Sequence, residues 1–167
     1  MDFKQLLKND FIILDGAMGT MLQAAGLEAG GIPELLNITD PELIENIHKK
    51  YIEAGSDIVY ANTFGANRYK LKNHSVDEII GAGIAIAKRA CNGKALAALD
   101  IGPIGQLLEP TGTLKFEEAY DIFKEQIIAG RDADVIVFET MTDLYELKAA
   151  VLAARENSDK PILCTMT

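Results

Sequence analysis

Five short runs of Ile, Val, Leu and Ala, at residues 11–14, 57–61, 95–99, 135–138 and 161–164, constrain the fold more than any other feature of this chain. None alternates with polar residues. That pattern belongs to strands buried on both faces of a parallel sheet. Parallel neighbours need long crossovers, and the sequence supplies them. Residues 41–54 carry Leu43, Ile44, Ile47, Tyr51 and Ile52 at helical spacing; Thr39 with Glu42 reads as a capping box, Pro41 suits an early helical position, and Gly55 is a stop. Residues 76–91 open with Ser75 and Glu78, a second capping box, and close at Asn92-Gly93. Residues 116–129 gather Phe116, Ala119, Tyr120, Phe123, Ile127 and Ile128 on one face, and residues 143–155 carry Leu144, Leu147, Val151 and Leu152. The order β-α-β-α-β-α-β-α-β is α/β and fits either a barrel or an open doubly wound sheet. No GxGxxG or GxxxxGK[ST] string follows the first run, which counts against a nucleotide-binding open sheet.

The residues that follow the runs carry the chemistry. The first run ends in Asp15-Gly16-Ala17-Met18-Gly19, an acid followed by a loop with two glycines. Glycines let backbone N–H groups approach a ligand closely. One carboxylate beside free amides suits a ligand bearing both a cation and an anion, such as an amino acid. The second run leads into Asn62-Thr63, the third into Asp100, the fourth into Glu139 and the fifth into Thr165. In a barrel these ends meet on one face, where active sites lie. Two carboxylates on one cavity repel unless a cation or a proton sits between them. A general acid–base pair, as in glycoside hydrolysis, is one use, and binding a substrate ammonium is another. Spacing does not separate the two.

Composition narrows the partners. The net charge of −9 comes without a Lys/Arg cluster, which argues against nucleic acid and against an anionic membrane surface. The apolar runs fall far short of a membrane span, and the N-terminus lacks the pattern of a signal peptide. Cys91 and Cys164 match no metal or redox spacing and read as packed thiols in a reduced, cytoplasmic setting. His48 reads as a surface or boundary residue of its helix and His74 as solvated. Met18 and Met21 read as apolar filler. The Gly/Pro-containing connections 23–36 and 102–114 are candidate functional loops.

The string Asp15-Gly-Ala-Met-Gly-Thr-Met-Leu-Gln resembles the start of the homocysteine-binding module in the cobalamin-dependent branch of the homocysteine S-methyltransferase family. Glu34-Leu-Leu-Asn37, Ala61-Asn-Thr-Phe-Gly-Ala-Asn67, Asp100-Ile-Gly-Pro103 and Phe138-Glu-Thr-Met141 follow in the family's order. The resemblance implies a (β/α)8 TIM-type barrel and methyl transfer to homocysteine sulfur, giving methionine. It implies a zinc ion that turns the substrate thiol into a thiolate, and methylcobalamin as donor, recharged from 5-methyltetrahydrofolate on other modules. By position, Asp15 and Glu139 look like the pair that holds the homocysteine ammonium. The amides of Gly16, Ala17, Met18 and Gly19 look like the cradle for its carboxylate. Asn62, Thr63 and Asp100 are candidate wall residues.

The family's zinc ligands are three cysteines at the ends of later strands, and neither Cys91 nor Cys164 matches them. A whole barrel of this type takes about 250 residues. The expectation is therefore a single partial domain, from the first strand and helix to the fifth strand, with the zinc-ligand cysteines beyond Thr167. Alone it is expected to be inactive, to hold neither zinc nor cobalamin tightly, and to self-associate through open sheet edges. Two other readings stand beside this one: a barrel hydrolase or lyase that uses Asp15 and Glu139 for proton chemistry, and a non-catalytic half-barrel scaffold.

Overall fold

The computed structural model describes residues 2–28 and 30–167. Four parallel strands lie in sequence order: β1 (Ile58–Tyr60), β2 (Leu96–Ile101), β3 (Val135–Met141) and β4 (Ile162–Met166). The long crossover helices are α6 (Val76–Cys91), α7 (Phe116–Ala129) and α8 (Leu144–Asn157); α4 (Pro41–Glu53) precedes β1. Shorter helices complete the set: α1 (Phe3–Leu6), α2 (Met18–Ala24), a 3-10 turn (Pro33–Leu35), α3 (Leu36–Thr39) and α5 (Arg68–Leu71).

The helix boundaries follow local chemistry. Ser75 caps α6, accepting the Glu78 N–H at 3.2 Å, and Asn92 closes it in the left-handed region at φ 43. The cap of α4 differs from the expected Thr39–Glu42 box. Asp40 accepts the Leu43 N–H, while the Thr39 hydroxyl donates back to Leu35 O and closes α3. Asp143 caps α8, so that helix starts at Leu144, one residue after the expected 143, and runs to Asn157 rather than 155.

The sheet has two faces with different duties. Val59, Ala97, Leu99, Ile101, Ile136 and Phe138 pack outward beneath α6, α7 and α8 in the main core. Ile58, Leu96, Ala98, Val135 and Val137 point inward, where Leu6 and Phe3 of α1 cover them together with Ile12. Leu6 is 3% exposed, and burying it contributes about 2 kcal/mol. The inner face therefore continues, two residues at a time, into Tyr60, Asp100 and Glu139.

The first apolar run is corrected. Residues 11–14 form no strand; they make a single parallel bridge, Leu14 with Ile58. Phe11 is 73% exposed, and Ile13 and Leu14 are also largely open. Among the described residues this segment has a hydrogen-bonded neighbour on one side only and buries one side chain, Ile12, against the inner cluster. Apolar composition alone does not distinguish such an edge from a central strand. Strand β1 ends at Tyr60, one residue inside its run, while β2, β3 and β4 end later than theirs, with Asp100 inside β2 and Glu139 and Thr140 inside β3.

Candidate functional site

A cavity of about 380 Å³ opens at the C-terminal ends of the strands. Its lining brings together Asp15, Gly16, Ala17, Met18, Gly19, Asn62, Asp100 and Glu139, eight of the nine residues the sequence nominates. Thr63 is the ninth, and it does not reach the wall. Its side chain is fully buried, and its hydroxyl donates to Asp100 O at 2.8 Å and accepts the Asp100 N–H at 3.2 Å. Thr63 thus ties the end of β1 to the end of β2.

Asp15 sits where the segment 11–14 leaves its bridge. Its Oδ2 accepts the Tyr60 N–H at 3.0 Å, and its own N–H donates to Ile58 O at 3.1 Å. Asp57 does the reciprocal job at the other end, accepting the Ile13 N–H at 2.9 Å. Side-chain carboxylates thus replace backbone partners that a regular strand would supply.

The loop after Asp15 is held by Tyr51 of α4, whose hydroxyl donates to Ala17 O at 3.2 Å. The ring lies so close that a Cβ on Gly16 would sit 2.9 Å from it, so any larger residue has to displace the ring or the loop. Among the described residues, the N–H groups of Gly16, Ala17, Met18 and Gly19 meet no protein acceptor. Ala17 gives α2 no side-chain cap.

The sequence nominated neither Glu34, which lines the cavity, nor Asn37, which braces Asn62 from behind the wall. Glu34 is buried, and its Oε1 accepts the Gly65 N–H at 2.6 Å. A Cβ on Gly65 would lie 2.7 Å from that oxygen. Asn37 and Asn62 form a buried amide pair: Asn62 Nδ2 donates to Asn37 Oδ1 and to Pro33 O, and Asn37 Nδ2 donates to Asn62 O and Ile79 O. Tyr60, Pro33, Ala61 and Phe64 complete the lining. The string Glu34–Asn37 was visible as a landmark, but its contact with the loop after β1 depends on chain reversal through the 3-10 turn.

Burial sets the electrostatics. It pushes the Asp15 carboxyl up to about 7, against the opposing Tyr60 N–H, with a smaller upward push from Glu139. Asp100 is raised well above the usual carboxylate range by burial, then by the charges of Glu139, Asp15 and Glu34. Its Oδ1 has no hydrogen-bond partner among the described residues. Glu139 is raised by burial. The Tyr60 phenol is pushed up to about 12 by burial and then by the surrounding acids. Burial thus makes the charged form of these carboxyl groups harder to hold than in water.

The other nominated groups lie elsewhere. Cys91 is buried in α6 and its thiol is pushed up to about 11, chiefly by burial. Cys164, expected to be packed, is exposed, because β4 has only β3 beside it among the described residues. His48, expected at the surface or boundary of its helix, is fully buried; burial pushes it down to about 4, and neither ring nitrogen has a hydrogen-bond partner among the described residues. Among those residues no group of three His, Cys, Asp or Glu side chains is placed to hold a metal. The two cysteines present do not fit a thiolate zinc site. No helix among them is long and apolar enough to cross a membrane.

Comparison with known proteins bears on the family and the fold. Residues 12–167 match the family model described as homocysteine S-methyltransferase. The chain is 37% identical to a methionine synthase of Mycobacterium tuberculosis and 36% identical to one of Mycobacterium leprae, each over 92% of its length. It spans only 14% of either relative. In structure it is similar to the homocysteine methyltransferase MmuM of Escherichia coli. The apo form superposes with a TM-score of 0.79 at 23% identity, covering 97% of this chain and 61% of that one. The oxidised form gives 0.82 at 21% identity, covering 94% and 62%. That likeness establishes the fold as part of a barrel of this type. The chain belongs to the homocysteine S-methyltransferase family.

Proposed function

We propose that this chain supplies the amino-acid end of a homocysteine-binding site in an enzyme that methylates homocysteine sulfur to give methionine. The observation that carries the reading is the convergence of Asp15 and Glu139 with the open amides of residues 16–19 on one cavity. The two carboxylates grip the substrate ammonium, and its positive charge draws off the protons that burial holds on them. The amides receive the substrate carboxylate. Asn62 and Asp100 form the wall, and Thr63 holds that wall in place. Raised carboxyls would also serve acid–base hydrolysis; membership of this family favours the ammonium role.

The chain is one partial domain of a larger protein in this reading, consistent with its 14% share of the mycobacterial relatives. The zinc that activates the thiol, and methylcobalamin recharged from 5-methyltetrahydrofolate, belong to residues and modules outside this segment, and the whole works in the cytoplasm. Cys91 and Cys164 do not fit the zinc's ligand set.

The test is homocysteine affinity in the full-length protein, measured by calorimetry with Asp15→Asn and Glu139→Gln. Each removes one charge partner in a desolvated site and is expected to cost about 2–4 kcal/mol of binding. Zinc content stays at the wild-type level. Loss of zinc with unchanged homocysteine affinity would overturn the assignment.

A further inference from the structure

Strand β3 contains one residue too many for its neighbour, and the surplus sits beside Glu139. Phe138 pairs with Cys164 and Met141 with Met166, so Glu139 and Thr140 together face the single residue Thr165. The core shows the consequence. Val135 and Val137 belong to the inner cluster, and Ile136 and Phe138 to the outer one. Strict alternation would send Met141 inward, yet Met141 is fully buried in the outer core. The extra residue has shifted the phase by one, as a β-bulge does.

Thr140 absorbs the shift. It is a β-branched residue in the left-handed region, with φ 53, a conformation few such side chains adopt. Its N–H, turned out of the regular ladder, donates to the Thr165 hydroxyl at 2.9 Å. The ladder resumes one step later, where the Thr167 N–H donates to Met141 O at 3.1 Å. Strain of this kind persists when surrounding contacts hold it, and it clusters at functional sites.

We propose that Thr140 and Thr165 are positioning residues for Glu139: the bulge they lock keeps that carboxylate at the cavity wall while Met141 stays in the outer core. This rests on the homocysteine-site reading above. Thr165 acts through the Thr140 N–H and need not touch the substrate itself.

The experiment is a double-mutant cycle in the full-length protein, with L-homocysteine as the probe in calorimetry, steady-state kinetics and thermal melts. Thr165→Val removes the acceptor. It is expected to raise KM about ten-fold with kcat within two-fold and Tm nearly unchanged, and Thr165→Ser restores KM. In the Glu139→Gln background, Thr165→Val adds little further loss, since both changes disable the same grip. Additive losses, an unchanged KM for Thr165→Val, or a loss that serine does not restore would overturn the proposal. If Glu139→Gln alone leaves homocysteine affinity intact, the ammonium role falls and this proposal falls with it. If only the Thr165 arm fails, the ammonium role stands.

Discussion

Asp15 Oδ2 accepts the backbone N–H of Tyr60 at 3.0 Å, so a side-chain carboxylate occupies a place in the parallel ladder. One oxygen is committed to structure. The same group lines the cavity, where burial raises it to about 7. Structural anchoring and ligand recognition thus share one side chain.

A pH dependence follows from that raised carboxyl. It holds its proton more tightly folded than unfolded, so stability falls as pH rises from 3.8 toward about 7. Asp15→Asn should flatten that slope and stabilise the ligand-free protein above pH 7 by about 1–3 kcal/mol, partial solvent access reducing the full linkage value. Denaturant melts across this range measure it. A stability that rises through the window because of Asp15 has the wrong sign and rejects the assignment. Homocysteine binding near pH 6 should also release protons, seen as a calorimetric enthalpy that varies with the buffer.

The loop after Asp15 depends on the contact between Gly16 and Tyr51. Gly16→Ala drives a methyl into the ring at 2.9 Å and displaces the loop amides. A loss of about ten-fold in homocysteine affinity, or about 1.4 kcal/mol, is expected. Tyr51→Phe removes only the bond to Ala17 O and should cost stability about 1 kcal/mol or less. Equal effects from the two variants would show that the ring's position is not what matters.

Asn37 is a purely structural test. Truncation to alanine removes one of the two acceptors of Asn62 Nδ2, which keeps Pro33 O, and the side-chain donor to Asn62 O and Ile79 O, all in a buried site. Losing these bonds in a buried site costs about 1–3 kcal/mol, so a loss of about 2 kcal/mol is expected. Chemical denaturation reads it directly, and a change below about 1 kcal/mol would mean that the amide pair contributes little to the fold.

Expressed as these 167 residues alone, the chain should self-associate or capture a complementary fragment. Phe11, at 73% exposed, and Met166, at 50%, lie on its two open sheet edges, where apolar side chains and unshared backbone groups coincide. Sedimentation velocity over a concentration series should show a rising average mass. A monomer of this segment that binds zinc tightly would contradict both this expectation and the placement of the zinc ligands elsewhere.

Runs of unalternating aliphatic residues and capped amphipathic helices determined the α/β order, because two-sided burial and helical periodicity are local properties of the chain. The acids at the strand ends were legible for the same reason: polarity that interrupts an apolar run marks where a strand meets solvent or a cavity. Tertiary structure decided what distance along the chain conceals. It made residues 11–14 a one-bridge edge, since edge and centre share one composition. It turned Thr63 into a brace for Asp100 and set Tyr51 against Gly16, through contacts between residues 37 and 34–35 positions apart. It buried His48, and it placed in β3 an extra residue that no periodicity announced. Each of these depends on which groups are left without partners once the layers close, and that is settled only when the whole sheet is assembled.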